Sequence, residues 1–317
     1  MNKLPKYSEL PLNKDDPFRS AWGLYGKDDQ LGFLNRLTDE VVLEAAKEIK
    51  TGKRISLNWP LDAQKDIPFF GRQTFHKHVY AKPPRTVNDD TWSFNTQSSS
   101  QWDGLRHFAY QKEAEFYNGV TMSDIHEHSA SNINGIHAWS EHGIVGRGVL
   151  LDYHAWRTAN NIPYEPFQAG TIPLAHLKAV AEAQRVSFKF GDILIIRSGY
   201  MVAHDAKRRV ELQSLAKIVP PTFSGVEQSE EVLEWIWENF AAVAGDQPSF
   251  ECWPSQTHFL LHEVLLAGWG CPIGEMFDLE ALAEHCQKTG RYTFFVTSEV
   301  CNVPGGVASP PNILAIF

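Results

Sequence analysis

The chain has 317 residues, 43% hydrophobic and 21% charged, which is ordinary globular composition with apolar material for a large core. Net charge is −9 and no block of Lys and Arg occurs, so nucleic acid, whose phosphates need clustered cations, is not an expected partner. No run of about 18 apolar residues suggests a membrane span, and MNKLPKYSELPLNKDDPF lacks a secretory-type apolar stretch, so a cytoplasmic protein is expected.

Residues 1–37 read as a loop-rich N-terminal extension to one domain spanning 1–317, with Gly and Asp at turn-like spacing in GLYGKDDQLGFLNRLTDE. Thr38 offers an N-cap to a helix whose apolar face is Val41, Val42, Ala45, Ala46 and Ile49, running up to Gly52. RISLNWP, 54–60, reads as a strand closed by Pro60, and 81–125 as irregular and polar. Short apolar runs follow at 146–153 and 191–200, with a helix predicted over 173–185 between them. A helix capped by Ser229 covers SEEVLEWIWENF, and AAVAGD, 241–246, and RYTFFVTS, 291–298, read as strands. Short strands alternating with helices indicate an α/β or mixed α+β domain, and several apolar runs end in a polar residue, a usual place for a site. The four cysteines, Cys252, Cys271, Cys286 and Cys301, show no CxxC spacing and read as reduced, buried thiols.

Two polar clusters can carry chemistry. QSSSQWDGLRH, 97–107, holds Gln97, Gln101, Asp103 and His107. Asp103 can bind a hard or borderline cation, and His107 can serve as ligand or general base. The same stretch also fits a polar loop that satisfies buried backbone groups. In the second cluster, 257–282, His258 and His262 are four apart and share a face if the segment is helical, with Leu261, Leu265 and Leu266 as its buried stripe. Gly268, Gly270 and Pro272 end that helix, and Glu275 follows where the chain can bring it back towards His262. A core helix with an interfacial His and a surface Glu fits equally. Zincin HExxH, the GxSxG elbow and the phosphate-binding GxxxxGK[ST] loop are absent, and GWGCPIG follows a helix rather than a strand.

At these clusters the sequence resembles the cyclase family that includes bacterial kynurenine formamidase and isatin hydrolase. That family's motif is HxGTHxDxPxH, with a later His and Glu. The motif Asp falls on Asp103 and its last His on His107, while Gln97 and Gln101 stand where the first two His would be and Ser99 and Ser100 replace the Gly-Thr pair. The later His and Glu look like His262 and Glu275. WGLYGKDDQLGFLNRLT, GRGVLLDY, GDILIIRSGY and VAGDQPSFE look like family blocks in family order, and FNTQSSSQWDGLRH with NVPGGVASPPN resembles a fungal-type branch.

The resemblance implies a compact β/β/α swivelling-type domain, assembled as a homodimer or larger oligomer. It also implies a divalent metal, zinc or manganese, that activates water against an amide, imide or lactone-like carbonyl of a small-molecule substrate. Some relatives instead catalyse ring closure or dehydration. Carried over, the metal set would be Gln97, Gln101, Asp103, His262 and Glu275. A glutamine offers only a neutral amide oxygen, which weakens binding and tilts it from zinc towards manganese or magnesium. His107, with Asp103, would be the catalytic pair. Gln97, Ser100 and Trp102 would contact substrate, Trp102 lining a flat aromatic pocket.

Three functions fit: a metal-assisted hydrolase, a metal-independent or weak-metal cyclase, dehydratase or isomerase, and a non-catalytic binding relative. In the second, the two glutamine amides would hydrogen-bond the substrate.

Overall fold

Three short apolar runs, around residues 149, 194 and 243, become neighbouring strands at the centre of the molecule. The computed structural model describes residues 4–64, 69–127 and 131–317. Among them the strands are, in chain order, β1 (Arg54–Ser56), β2 (His76–Ala81), β3 (Asn88–Ser93), β4 (Gln101–Asp103), β5 (Ile144–Leu151), β6 (Gly170–Ile172), β7 (Asp192–Ile196), β8 (Ser224–Val226), β9 (Phe240–Gly245), β10 (Ile273–Glu275), β11 (Thr293–Ser298), β12 (Ala308–Ser309) and β13 (Leu314–Ile316). A nine-stranded sheet runs in the order β1-β13-β11-β5-β7-β9-β10-β4-β12. Its centre, β5, β7, β9 and β10, is parallel, and its flanks are antiparallel. β2 pairs with β3, and β6 with β8, outside that sheet.

The central strands are buried on both faces, which is why they read as continuous apolar runs rather than alternating ones. Val149, Leu151, Leu194, Ile196 and Val243 join one core cluster, with residues of the helices Leu174–Ala183 and Glu230–Asn239. Leu150, Ile193, Ile195, Ala242 and Ala244 join the other, with Leu282, Ala283 and Cys286 of the helix Glu280–Thr289. The result is a mixed α/β architecture, a large sheet with helical layers.

Local signals account for several boundaries. Ser229 Oγ accepts the Val232 N–H at 3.2 Å and caps the helix Glu230–Asn239. Thr38 caps the helix Asp39–Ala45, but a 3₁₀ turn over Ala46–Glu48 ends it well before Gly52, and Ile49 is exposed. The N-terminal stretch is loop-rich yet packed down. Phe33 and Leu34 are fully buried, and the Arg36 guanidinium donates to the carbonyls of Trp237 and Phe240 at 2.7 and 2.8 Å.

Three expectations are corrected here. The strand at 54–60 pairs only over Arg54–Ser56, because the chain beyond it leaves the sheet to hydrogen-bond Ser99 and Ser100. The supposedly irregular 81–125 contains β3, which pairs with β2 as a hairpin; β2 is exposed throughout and β3 almost so, and that exposure removes any apolar alternation from the sequence. All four cysteines are free, but Cys301 is exposed rather than buried.

Candidate functional site

The site forms where the edge of the parallel centre meets β4. β4 pairs antiparallel with β10, setting Gln101 opposite Glu275, Trp102 opposite Gly274 and Asp103 opposite Ile273. Side chains alternate along a strand, so Gln101 and Asp103 share one face and Trp102 takes the other. Gly274 makes that possible, since a Cβ there would sit 2.7 Å from Phe277 and 3.0 Å from the Trp102 ring.

The turn before β4 is held by its own polar groups. Asn95 Oδ1 accepts the Gln97 N–H at 2.8 Å. Ser99 Oγ donates to the carbonyls of Trp59 and Pro60. Ser100 Oγ donates to the Met276 carbonyl at 2.6 Å and accepts the Trp59 N–H at 2.7 Å. After β4, Gly104 leaves no room for a Cβ, which would lie 2.7 Å from the Val307 carbonyl oxygen, and the turn to His107 closes with the His107 N–H on the Gly104 carbonyl.

Gln97, Gln101, Asp103 and His107 therefore meet His262 and Glu275. Gln97 Nε2 donates to Asp103 Oδ1 at 2.7 Å and lies 3.1 Å from both ring nitrogens of His107. Gln101 Nε2 donates to Glu275 Oε2 at 2.9 Å and lies 3.3 and 3.4 Å from the Asp103 oxygens. His262 Nε2 lies 3.2 Å from Glu275 Oε1, and its Nδ1 lies 2.6 Å from Glu251 Oε1. Glu251 also accepts the backbone N–H groups of Leu261 and His262, so one buried carboxylate caps the helix start and orients the imidazole. The following turn, Glu263–Gly268, is π-helical, a geometry often found beside functional sites.

Charge is unevenly balanced here. Asp103, Glu251 and Glu275 are all buried. Burial opposes a charged His262, but hydrogen bonds to Glu251 and Glu275 overcome it and hold the imidazole well above its ordinary value. Burial, reinforced by the nearby Asp103 carboxylate, raises Glu275. Burial pulls His107 down to about 4, with Asp103 opposing, so this imidazole is neutral at pH 7.

The residues present fit a divalent cation. Ligand atoms of Asp103, His107 and His262 lie within 4.8 Å of one another. Glu275 adjoins them, and a cation would balance the excess of buried carboxylates. Gln97 and Gln101 fit less well as ligands. Their amide nitrogens, which are donors, face the carboxylates, and Gln101 Oε1 is buried with no hydrogen-bond partner among the described residues.

Beside the cluster lies a pocket of about 200 Å³, lined by Phe70, Arg72, His107, Phe108, Pro248, Ser249, Trp253, His262 and Glu275. Trp102 is not part of it. Its ring is fully buried against Phe277 and its Nε1 donates to Ser298, so the expected pocket wall is a core residue. Ser100 is likewise engaged by backbone groups and not free for substrate. His258 is not on the His262 helix; it is exposed and packs beside Phe18 and Phe259. Sequence reading missed Glu251, Arg72 and Phe108. Glu251 left one signal, a lone acid between Phe250 and Cys252.

The Cyclase family model matches residues 43–252. A solved structure described as a novel cyclase superposes with a TM-score of 0.82 at 32% identity, covering 94% of this chain and 99% of that chain. Isatin hydrolase A from Labrenzia aggregata, bound to benzyl benzoate, gives a TM-score of 0.58 at 13% identity over 89% of this chain and 98% of that one. Isatin hydrolase A from Ralstonia solanacearum gives 0.58 at 14% identity over 88% and 98%. At those identities the likeness to the isatin hydrolases is one of fold. No match was found among curated proteins.

Proposed function

The chain belongs to the cyclase family, and from that premise we propose that it is an enzyme that hydrolyses an amide, cyclic amide or lactone-type carbonyl in the pocket beside His107. One observation supports this above others: the His107 imidazole stands in the pocket wall, 3.9 Å from Asp103 and beside buried His262 and Glu275.

A divalent cation held by Asp103, Glu275 and, once its Nε2 proton is displaced, His262 would supply Lewis-acid polarisation of the carbonyl and acidify water. The chain's own residues do the rest. His107, uncharged, takes a proton from the attacking water as the carbon–oxygen bond forms, and returns it to the nitrogen or oxygen that leaves. Gln97, on both His107 and Asp103, holds the imidazole in place. Glu251 fixes the His262 ring through Nδ1, so Nε2 is the nitrogen turned towards the site. Phe108, whose ring centroid is 5.4 Å from that of His262, covers the group from one side.

The amide nitrogens of Gln97 and Gln101 on the carboxylates favour a second reading, acid–base ring closure or dehydration without a metal. A panel of formamides, imides and lactones, assayed with and without EDTA, separates the two. Hydrolysis that EDTA abolishes and Mn²⁺ or Zn²⁺ restores is expected. Turnover that survives EDTA favours acid–base chemistry without a metal, and binding without turnover across the panel would sink the hydrolase reading.

A further inference from the structure

We propose that Arg72 selects substrates that carry a carboxylate, so that the preferred substrate is a small ring compound with an anionic group beside its reactive carbonyl. The inference rests on the pocket being the substrate site.

The pocket is small, about 200 Å³, with Phe70, Phe108, Trp253 and Pro248 among its apolar lining, which suits a compact ring rather than a long chain. Arg72 lines it as well. The guanidinium donates Nη1 to the Gln97 carbonyl at 3.0 Å and lies 5.0 Å from the Phe70 ring centroid. Among the described residues no carboxylate pairs with it. Other arginines show what is missing: Arg147 pairs with Asp192, and Arg197 with Asp152 and Glu280. A guanidinium is a rigid fork suited to bidentate carboxylate binding, and here most of that fork is unused.

Two more lining residues carry donors without partners. Ser249 Oγ and Trp253 Nε1 are buried and hydrogen-bonded to nothing among the described residues. The lining thus carries donors in excess at Arg72, Ser249 and Trp253, and their complement is a group rich in acceptors. Glu275 lines the pocket as well, and its carboxylate repels an anion from the His262 end. A substrate with one carboxylate is therefore held in one orientation, its acid at Arg72 and its neutral carbonyl towards His107. The competing role for Arg72 is that of a remote counterion to Glu275, which would weaken every ligand alike when removed.

Calorimetric titration of the purified protein with benzoate and with benzamide, with and without EDTA, separates these roles. Benzoate is expected to bind more tightly than benzamide by about 10- to 100-fold, the range for a charged hydrogen bond. Arg72→Met is expected to collapse that ratio in either buffer, and Arg72→Lys to restore part of it. Equal binding of the two probes by the wild type overturns the proposal, as does an unchanged ratio in Arg72→Met. Turnover of 2-formamidobenzoate against formanilide is measured alongside. Arg72-dependent benzoate binding without hydrolysis of either leaves the anion site standing and removes the hydrolase reading. Hydrolysis of both without preference for the acid does the reverse.

Discussion

Glu251 Oε1 lies 2.6 Å from His262 Nδ1, and the same carboxylate accepts the N–H groups of Leu261 and His262. Three donors converge on one buried acid, so its loss leaves His262 Nδ1 and the helix start without partners. Glu251→Ala is expected to lose about 3–5 kcal/mol of stability, the scale for breaking a buried charge pair. Urea denaturation measures it. A change within the error of the extrapolation would show that water or backbone replaces the carboxylate freely.

His107 is poised differently, in the pocket wall rather than the core. His107→Ala is expected to lower turnover by about 10²–10⁴ while leaving the melting temperature nearly unchanged. Unchanged turnover would remove His107 from the chemistry in both readings of the site.

The same residue sets a pH dependence. Burial holds the folded-state value at about 4, below the ordinary 6.5. The unfolded chain therefore takes up this proton first as pH falls, and the contribution to stability, full above about 6.5, is lost on the way down to about 4. The slope of unfolding free energy against pH across that window is expected to be shallower in His107→Gln. Turnover in the wild type should be insensitive to this group at neutral pH and fall as pH drops through about 4.

Much of this site was legible because its residues are chemically conspicuous. Asp103, His107, His262 and Glu275 stand out as polar groups in two short clusters, and strand pairing puts Gln101 opposite Glu275. Trp102 was misplaced because 101–103 was not read as a strand; period-two alternation would have turned it away from Gln101 and Asp103. His258 was misplaced because i, i+4 spacing assumes a helix, whereas Glu251 starts that helix only at Leu261, from ten residues upstream. Arg72 and Glu251 join the site only through tertiary folding, and neither lies in the two clusters. The hairpin of β2 and β3 buries almost nothing, so it leaves no apolar pattern to read.

Trp102 and Phe108 offer a direct comparison, since one is core and the other pocket wall. Trp102→Ala is expected to cost about 3–5 kcal/mol of stability with KM of the folded enzyme unchanged. Phe108→Ala is expected to raise KM by about 10-fold or more, because it removes an apolar contact worth roughly 1–3 kcal/mol to a substrate, and to cost less stability than Trp102→Ala because the ring is only half-buried. Thermal melts and steady-state kinetics on both variants check the pair. A raised KM in Trp102→Ala with an intact melt would return that ring to the pocket.

Gln101 carries the clearest test of how the site balances its charge. Its amide nitrogen donates to Glu275 and lies within reach of both Asp103 oxygens, so a neutral group bridges two buried carboxylates. Gln101→Leu removes the bridge and leaves the carboxylates facing each other, at a cost of about 1–3 kcal/mol for acceptors left without donors. A divalent cation binding the folded state would offset that cost by mass action. Added Mn²⁺ or Zn²⁺ is therefore expected to raise the melting temperature of Gln101→Leu more than that of the wild type, and EDTA to lower it more. Equal shifts in the two proteins would mean that the amide does not do part of a cation's work.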